Sequence, residues 1–580
     1  MRRPTVLFAC LLALACTRAS VTPSPSGTSA ALTAADLRTR LYIFADDSMM
    51  GREAGTQGNV KGTDYIAREL RRIGLEPAGD NGTYFQTIPL VRFANATGLG
   101  AGEPRSYLQI DGGETLALGS DYVAAYSSRF PVRRGSRGRP AASTFTVDQL
   151  RGAQAIYGGV FGDTGMAATP EQAAGKVVIL TTKPDSTGER TYQRVADSLA
   201  RGRWASAAAV AIVQLDVVTR PVLAALRAPN FVLDRGDTVS TFTPLIISPR
   251  AAEAMLGKPL AQARPGDVGR AVSGDVVVRW LQVPAPARNV VAILRGRDPA
   301  VRGQYVAMSA HNDHTGLETR PLDHDSVRAY NRLLQLRNLE GPAAGRGPKQ
   351  NVGVVVNVDS LRRLRPARPD SINNGASDDG SGSVVLLEIA EQLAARPAAE
   401  RPRRSLLFIW HTAEEIGLNG SEYFSDRPTV PRDSIVAVLN MDMVGRGSAE
   451  DVPGGGPRYV QLIGARRLAT ELGDVIERVN AARAEPFAID YSYDAPGHPY
   501  NRYCRSDHYM YARYGVPIAY FSLGYYIDYH QVTDEPQYID YPHMQRVAEL
   551  VRDAALTLAD LDHRVVRDKP KPDLRAPCRQ

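Results

Sequence analysis

Short apolar runs alternate with segments of helical periodicity through the second half of the chain. Each run is five or six residues long, which is typical of a buried strand. The predicted strands are residues 289–294, 305–309, 406–410, 435–439 and 518–522. The main predicted helices are residues 383–395 and 544–559. This alternation predicts an α/β fold with a mostly parallel central sheet and helices on both of its faces.

The first half of the chain begins in the same way and then changes. Residues 35–47 and 64–73 have helical periodicity, and a strand-rich region begins at residues 84–91. Further along come the strand candidates 154–161, 176–182 and 209–215 and the helix candidate 191–207. A smaller α/β or β-rich domain, inserted into the larger one, explains this change.

These patterns divide the chain into segments. We expect one large domain built from residues 35–135 and 284–565, with the smaller domain inserted at residues 136–283. Residues 566–580 then form a tail. Residues 315–372 interrupt the strand–helix alternation and are rich in Arg, Pro and Gly, so we expect a long surface insertion there.

The N-terminal segment has the pattern of a secretory leader. Arg2 and Arg3 precede an apolar stretch at residues 6–15 that is too short to span a bilayer. We expect a leader at residues 1–15, followed by a flexible tether at residues 16–34 that is rich in Ser, Thr, Pro and Ala. Cys16 stands where a bacterial lipoprotein carries its lipid. We expect the mature protein to be an envelope lipoprotein, at the outer membrane or the periplasmic face, or a secreted protein.

Composition and charge narrow the classes of partner. The chain has 580 residues, of which 43% are hydrophobic and 23% charged, as in ordinary globular proteins of two or three domains. The net charge of +7 comes mainly from arginines spread along the chain rather than from one basic run. A solvated surface explains that spread better than a polyanion site, so no nucleic-acid partner is expected. The sequence leaves the oligomeric state open.

Only two cysteines lie beyond the leader and the lipoprotein position. In an exported protein, Cys504 and Cys578 could form one disulfide that holds the C-terminal tail, or they could remain two free thiols. Their spacing does not decide between these alternatives. The chain contains no CxxC pattern, which excludes a cysteine zinc site.

The strongest chemical signal follows the predicted strand 406–410. His411, Thr412 and Ala413 lead there to two adjacent carboxylates, Glu414 and Glu415. Two neighbouring carboxylates resist joint ionisation unless positive charge is close, and a metal ion is the simplest source of that charge. One Glu could then ligate the metal while the other acts as a general base on a water molecule. The alternative is a solvated Glu-Glu pair at a strand exit.

Other candidate ligands also follow strands or precede helices, where sites in such sheets collect. His311 follows the strand 305–309 and stands two positions before Asp313, with His314 as a competing ligand. The remaining candidates are Asp378 or Asp379 before the helix 383–395, Asp442 after the strand 435–439, and His530 after the strand 518–522. Each candidate also has a purely structural explanation, such as a polar loop or a helix cap. Five oxygen and nitrogen ligands, one of them bridging, suit two zinc ions.

These residues, in this order, resemble the co-catalytic di-zinc exopeptidase family. That family includes secreted bacterial aminopeptidases, glutamate carboxypeptidases and glutaminyl cyclases. The matching pieces are SAHNDH, GASDDGSG, HTAEEIGLNGSEYF, NMDMVG, RSDHYMYARYGVPIAYF and DYHQVTD. The stretch FADDSMMGREAGTQGNVKGTDYIARELRRIGLEPAG is similar to the family's opening, and residues 136–283 resemble its protease-associated domain.

The resemblance assigns a role to each candidate. Asp378 would bridge two Zn2+ ions, with His311 and Asp442 completing one site and Glu415 and His530 the other. Glu414 would be the general base, Asp313 the acid that orients a ligand, and Tyr503 the group that stabilises the oxyanion. The expected activity is removal of N-terminal residues from peptides. A carboxypeptidase or a glutaminyl cyclase of the same fold, or a non-catalytic binding member, remains the alternative.

One departure from the family concerns substrate access. His311 and Asp378 are 67 positions apart, which is longer than the family usually has. The additional segment is the surface insertion at residues 315–372. It could form a lid or a rim over the cleft.

Overall fold

The structure is a computed structural model. It describes residues 27–95, 106–124, 142–161, 163, 165–184, 203–204, 206–219, 222–223, 230–234, 245–337, 353–574 and 578–580. The predicted leader, Cys16, most of the predicted tether and most of the predicted helix 191–207 lie outside the described residues. No helix in the described ranges combines the length and the apolar character needed to cross a bilayer.

The strands are numbered in chain order. Those of the first half are β1 (Glu76–Pro77), β2 (Phe85–Ile88), β3 (Leu90–Asn95), β4 (Tyr107–Ile110), β5 (Glu114–Leu116), β6 (Tyr122–Ala124), β7 (Ala142–Val160), β8 (Val177–Thr181), β9 (Ala209–Val213), β10 (Asn230–Leu233), β11 (Leu245–Ile247) and β12 (Val268–Gln282). Those of the second half are β13 (Ala287–Leu294), β14 (Tyr305–His311), β15 (Gly316–Asp323), β16 (Pro369–Asn373), β17 (Ser405–His411), β18 (Ile435–Met441), β19 (Tyr459–Ile463), β20 (Ala488–Asp490) and β21 (Ile518–Ser522).

The helices connect these strands and follow them. They are Ala34–Phe44, Gln57–Ile73, Pro170–Ala173, Pro249–Leu256, His324–Leu336, Val358–Leu364, Gly382–Ala394, Asn419–Asp426, Thr470–Ala481, His508–Ala512 and Tyr541–Asp560. Each strand and helix predicted in the second half is present, with ends that differ by a few residues. The predicted helix 64–73 begins earlier, at Gln57, and ends at Ile73; the following Gly74, with a φ of 77°, forms the left-handed cap.

Nine of the described strands form the central sheet. Its order is β1-β13-β17-β14-β18-β21-β19-β20, with β2 also paired to β13. The four middle strands, β17, β14, β18 and β21, run parallel, whereas β13 and β19 join them antiparallel. The predicted parallel sheet is thus the centre of a mixed sheet. Every residue of β14, β17 and β18 is buried, which explains their uninterrupted apolar runs.

Helices cover both faces of the central sheet, as the alternation predicted. On one face, Leu386, Ile389 and Leu393 of the helix Gly382–Ala394 belong to the core that also contains Trp410. On the other face, Tyr511 of the helix His508–Ala512 belongs to the core that contains Ile409. The sheet is therefore enclosed, and only its ends are left to build a site.

A second, ten-stranded sheet contains the region predicted to be inserted. Its order is β10-β3-β12-β7-β8-β9-β11-β6, with β4 also paired to β12 and β5 paired to β4. The sheet begins with β3 at Leu90, so strands earlier than the predicted boundary at residue 136 take part in it. Strands β4 to β6 are short and were missed because they lack long apolar runs. The division into domains at particular residues stays a prediction.

The surface insertion at residues 315–372 has structure of its own. Strands β15 and β16 pair antiparallel at its two ends, and its helix His324–Leu336 packs towards the segment that carries His530. Asn331 on this helix donates hydrogen bonds of 2.8 Å to both Asp528 and Gln531. The insertion therefore borders the loop that follows β21, and residues 338–352 within it lie outside the described residues.

Cys504 and Cys578 form a disulfide, the first of the two alternatives. The last residue, Gln580, continues this attachment: its side-chain oxygen accepts a hydrogen bond of 3.0 Å from the Tyr503 backbone N–H. Its backbone oxygen accepts another of 2.8 Å from Gly497. The end of the chain is thereby fixed beside the segment that contains Tyr503.

Replacing Cys578 by serine is expected to destabilise the protein. The disulfide closes a loop with a sequence separation of 74, and loops of that size contribute about 2–4 kcal/mol to the free energy of unfolding. Urea unfolding of the variant and of the wild type would measure the difference under oxidising conditions. With a strong reductant present, the two proteins should unfold alike. Equal stability under oxidising conditions would instead mean that both thiols are free.

Candidate metal centre

The carboxyl ends of the four parallel strands meet at one edge of the central sheet. Strand β14 ends at His311, β17 at His411, β18 at Met441 and β21 at Ser522. The candidates His311, Glu414, Glu415, Asp442 and His530 lie at these ends or in the loops that follow them. Asp378 reaches the same place from the turn before the helix Gly382–Ala394.

Two groups of potential ligands share Asp378. The first contains His311, Asp378 and Asp442, and the second contains His314, Asp378, Glu415 and His530. Within each group, one ligand atom per residue lies within 4.8 Å of the others. The two oxygens of Asp378 divide between the groups, because Oδ1 lies 3.2 Å from His311 Nε2 and Oδ2 lies 3.1 Å from His530 Nε2. Asp378 thus has the position of a bridging carboxylate.

His314 joins the second group rather than replacing His311. Its Nδ1 lies 2.7 Å from Glu415 Oε1, and its ring stands edge-on to His530 at 5.4 Å between centroids. In the sequence, His311 and His314 are competing candidates for one ligand position. Three positions beyond His311, the chain has left the strand, so His314 can face the other group.

Several buried atoms of the two groups make no hydrogen bond of good geometry, although carboxylate oxygens lie near them. Among the described residues these include Nε2 of His311, His314 and His530 and Oδ2 of Asp378. The Nδ1 of His311 lies 3.1 Å from the carbonyl oxygen of Asp313, which can only accept. His311 Nδ1 therefore carries the proton, and the Nε2 lone pair faces Asp378 and Asp442. A cluster of imidazole and carboxylate donors left open in this way fits divalent cations such as Zn2+.

Protons on the histidines balance the charge of the carboxylates. Burial disfavours a charged His530, yet Glu415 and Asp378 outweigh it and raise the pKa of His530 to about 10. Burial and Asp378 oppose ionisation of Glu415, yet His530 and His314 lower the pKa of Glu415 to about 2. A divalent cation would displace these protons, because histidine ligates in its neutral form.

Asp379 supports the centre through the backbone. Its carboxylate accepts hydrogen bonds from the N–H groups of His311 (3.1 Å), Gly382 (2.8 Å) and Met443 (3.2 Å). These bonds tie the end of β14 to the segment after β18, close to His311 and Asp442. Of the two adjacent aspartates, Asp378 therefore faces the ligand groups and Asp379 fixes their backbone.

Asp313 lies between His311 and the Glu414 segment. Its Oδ1 is 3.7 Å from His311 Nδ1 and accepts a hydrogen bond of 3.2 Å from the Glu414 backbone N–H. Burial raises the pKa of Asp313. This placement connects the orientation of His311 with the position of Glu414.

Glu414 stands beside both groups but belongs to neither of them in the described structure. The residue as a whole is half-buried. Burial, together with the carboxylates of Asp442 and Glu415, raises the pKa of Glu414 well above its usual range. Such a carboxyl group can take and release a proton near the two groups.

Tyr503 lies against residues other than the ligands. The described contacts of its ring are with Arg467, whose Cζ is 4.5 Å from the ring centroid, and with His508 and Tyr509. Two other tyrosines come closer to the centre: Tyr529 stacks on His530 at 3.7 Å, and Tyr525 stacks on Tyr529 at 5.0 Å. The structure thus brings the other predicted residues together without Tyr503.

Two supporting residues were missed by the sequence analysis. Arg52 is fully buried and donates hydrogen bonds to the backbone oxygens of Asn312 (3.2 Å), Asn374 (2.7 Å) and Gly375 (2.9 Å), which flank His311 and Asp378. Asp534 accepts hydrogen bonds from the backbone N–H groups of Ser377 and Asp378. Arg52 lies within the Gly-Arg-Glu of the matched opening, which was its only signal in the sequence.

Comparisons with known proteins identify the part of the chain that carries this centre. Residues 289–555 match the model of Peptidase family M28. Leucine aminopeptidase 1 of Paracoccidioides brasiliensis (strain Pb18) is 30% identical over 245 residues, which cover 40% of this chain and 58% of that protein. Leupeptin-inactivating enzyme 1 of Streptomyces exfoliatus is 43% identical over 79 residues, which cover 13% of this chain and 18% of that protein.

The matches to these relatives are partial. The chain spans about half the length of the fungal relative and less than a fifth of the Streptomyces one. Among solved structures, the aminopeptidase from Aneurinibacillus sp. strain AM-1 is 15% identical with a TM-score of 0.45, covering 93% of this chain and 98% of that chain. The zinc aminopeptidase BSAP from Bacillus subtilis is 17% identical with a TM-score of 0.44, covering the same shares. Likeness of this degree transfers no residue role, so the description of the site rests on its own distances.

Proposed function

We propose that the protein is a zinc-dependent aminopeptidase that hydrolyses N-terminal residues from peptides, because residues 289–555 match the model of Peptidase family M28. The observation that carries this proposal is the pair of ligand groups that share Asp378 beside a half-buried Glu414 outside both groups. Ligands alone would suit a structural metal site. A carboxyl group held next to them, without being one of them, is what hydrolysis needs.

The two groups would each hold one zinc ion. His311, Asp378 and Asp442 would hold the first, and Asp378, Glu415 and His530, joined by His314, would hold the second. When bound, the two ions would supply Lewis acidity that lowers the pKa of a water molecule and polarises the scissile carbonyl group.

The chain's own residues would move the proton. Glu414 would accept the proton of the attacking water and deliver it to the nitrogen of the leaving amine. Its raised pKa favours the second step, since the protonated form is then a stable intermediate state. Asp313 would hold His311 in the tautomer that exposes Nε2, and Asp379 and Arg52 would keep the backbone at His311 and Asp378 in place.

Export completes the proposal. The charged start, the apolar residues 6–15 and Cys16 support delivery to the cell envelope, with a lipid on Cys16 or as a free protein. The Cys504–Cys578 disulfide supports an oxidising compartment. The substrates would then be peptides that meet the protein outside the cytoplasm.

Cleavage of a small substrate panel tests the proposed function. Purified, zinc-loaded protein would be given aminoacyl chromogenic substrates, their N-blocked versions, and N-blocked peptides with a free C-terminus. We expect cleavage of the free-amine substrates only, lost with a chelator and restored by zinc. Cleavage of the N-blocked peptides would instead indicate a carboxypeptidase. Release of pyroglutamate from N-terminal glutamine would indicate a cyclase, and inactivity of fully loaded protein a binding member.

A further inference from the structure

Two arginines lie against Tyr525, the second tyrosine in the stack that begins at the ligand His530. The Cζ of Arg502 lies 3.8 Å from the ring centroid of Tyr525, and the Cζ of Arg505 lies 5.4 Å from it. Tyr525 stacks on Tyr529, which stacks on His530 of the second group. A continuous series of stacked side chains thus connects the two arginines to the metal centre.

Among the described residues, no carboxylate forms an ion pair with Arg502 or Arg505. Arg502 is 3% exposed, and its Nε and Nη1 are buried without hydrogen-bond partners. Stacking on tyrosines offsets part of the cost of burying Arg502. A buried cation without an anionic partner remains costly, however, and such groups are usually completed by a ligand.

Arg505 is the member of the pair that a ligand can reach. It is only half-buried, whereas Arg502 is buried. The negative charge of Glu414 acts on Arg505 and that of Asp442 on Tyr525, which places the pair within electrostatic range of the proposed reaction. Arginine offers two parallel N–H donors that match the oxygens of a carboxylate.

We propose that Arg505, supported by the charge of Arg502, binds a carboxylate of the substrate close to the scissile bond. This inference rests on the proposed aminopeptidase function and specifies its substrate class. The favoured substrates are dipeptides, whose free C-terminal carboxylate lies one residue beyond the bond that is cleaved. An acidic side chain on that residue offers the same group.

The test compares substrates that differ only in this carboxylate. The zinc-loaded wild type would be assayed with Leu-Leu and its C-terminal amide, and with the amides of Leu-Glu and Leu-Gln. We expect kcat/KM to be about 10- to 100-fold higher for the substrate that carries the carboxylate in at least one pair, as a charge-assisted hydrogen bond provides. The first pair isolates the terminal carboxylate, and the second isolates the side chain.

Variants of Arg505 identify the residue responsible. Arg505→Gln should lower the ratio of carboxylate to amide activity by about 10- to 100-fold, while Arg505→Lys should retain part of it because the charge remains. The control is Arg151→Gln, whose side chain is 57% exposed on the second sheet and should keep the wild-type ratio. Zinc content and Tm of each variant would show that the fold and the centre are intact.

Failure of this inference differs from failure of the proposed function. If the wild type cleaves both members of each pair equally well, the carboxylate site is absent but the aminopeptidase stands. If Arg505→Gln reduces both members of a pair equally, Arg505 acts on catalysis or folding and the inference is overturned. If the wild type cleaves none of these free-amine substrates, it is the proposed function that fails.

Discussion

Glu414→Gln is expected to bind zinc like the wild type and to lose kcat by about two to four orders of magnitude. Glutamine has nearly the same shape as glutamate, but its amide cannot accept the proton of the attacking water. Zinc should remain because Glu414 belongs to neither described ligand group. Turnover of an aminoacyl chromogenic substrate and zinc content per chain would measure the two effects separately.

The matched control for this variant is Glu485→Gln. The Glu485 side chain is 74% exposed and lies 3.8 Å from Arg546, so the same change there should leave kcat and zinc content unaltered. Near-normal turnover of Glu414→Gln would remove Glu414 from its proposed role. A parallel loss of zinc and activity would make Glu414 a ligand instead of a base.

Asp378→Ala is expected to lose both zinc ions, and with them activity by at least as much as Glu414→Gln. Its two oxygens face different groups, at 3.2 Å from His311 Nε2 and 3.1 Å from His530 Nε2. Removal of the shared carboxylate leaves the first group only two ligands, and it takes one of the two carboxylates from the second group, which weakens zinc binding there as well. Zinc content after dialysis, together with turnover, would measure this effect.

A comparison with Asp442→Ala sharpens the prediction. Asp442 belongs to the first group alone, so its loss should release one zinc ion and retain the other. Asp474→Ala, at a side chain that is 52% exposed, serves as the control and should retain both. Unaltered zinc content in Asp378→Ala would contradict the bridging role, provided that Tm shows a folded protein.

Much of the site could be predicted because its position depends on strand ends. Buried parallel strands are apolar throughout, so the polar residues that follow each run mark the edge of the sheet. His311, Glu415, Asp442 and His530 were found in this way, and the structure brings them together around Asp378. Positions along the sequence were enough to identify these residues because the strands that carry them are neighbours in one sheet.

The parts that escaped prediction depend on side-chain direction and on distant packing. Adjacent aspartates look alike in a sequence, whereas the structure turns Asp378 to the ligands and Asp379 to three backbone N–H groups. His314 could not be assigned to the second group without the turn after β14. Arg52 supports the centre from about 260 positions away along the chain, and no local pattern marks such a contact.

The insertion of the second sheet between β2 and β13 also affects the order in which the chain can fold during synthesis. Ile88 at the end of β2 pairs with Ala287 at the start of β13, although about 200 residues separate them in sequence. At usual rates of synthesis, β2 waits about 10–40 s for its partner strand to be made. The intervening sheet can fold during that interval. The N-terminal helices and β2 remain without their sheet until β13 emerges, so a holding chaperone would act on this segment first.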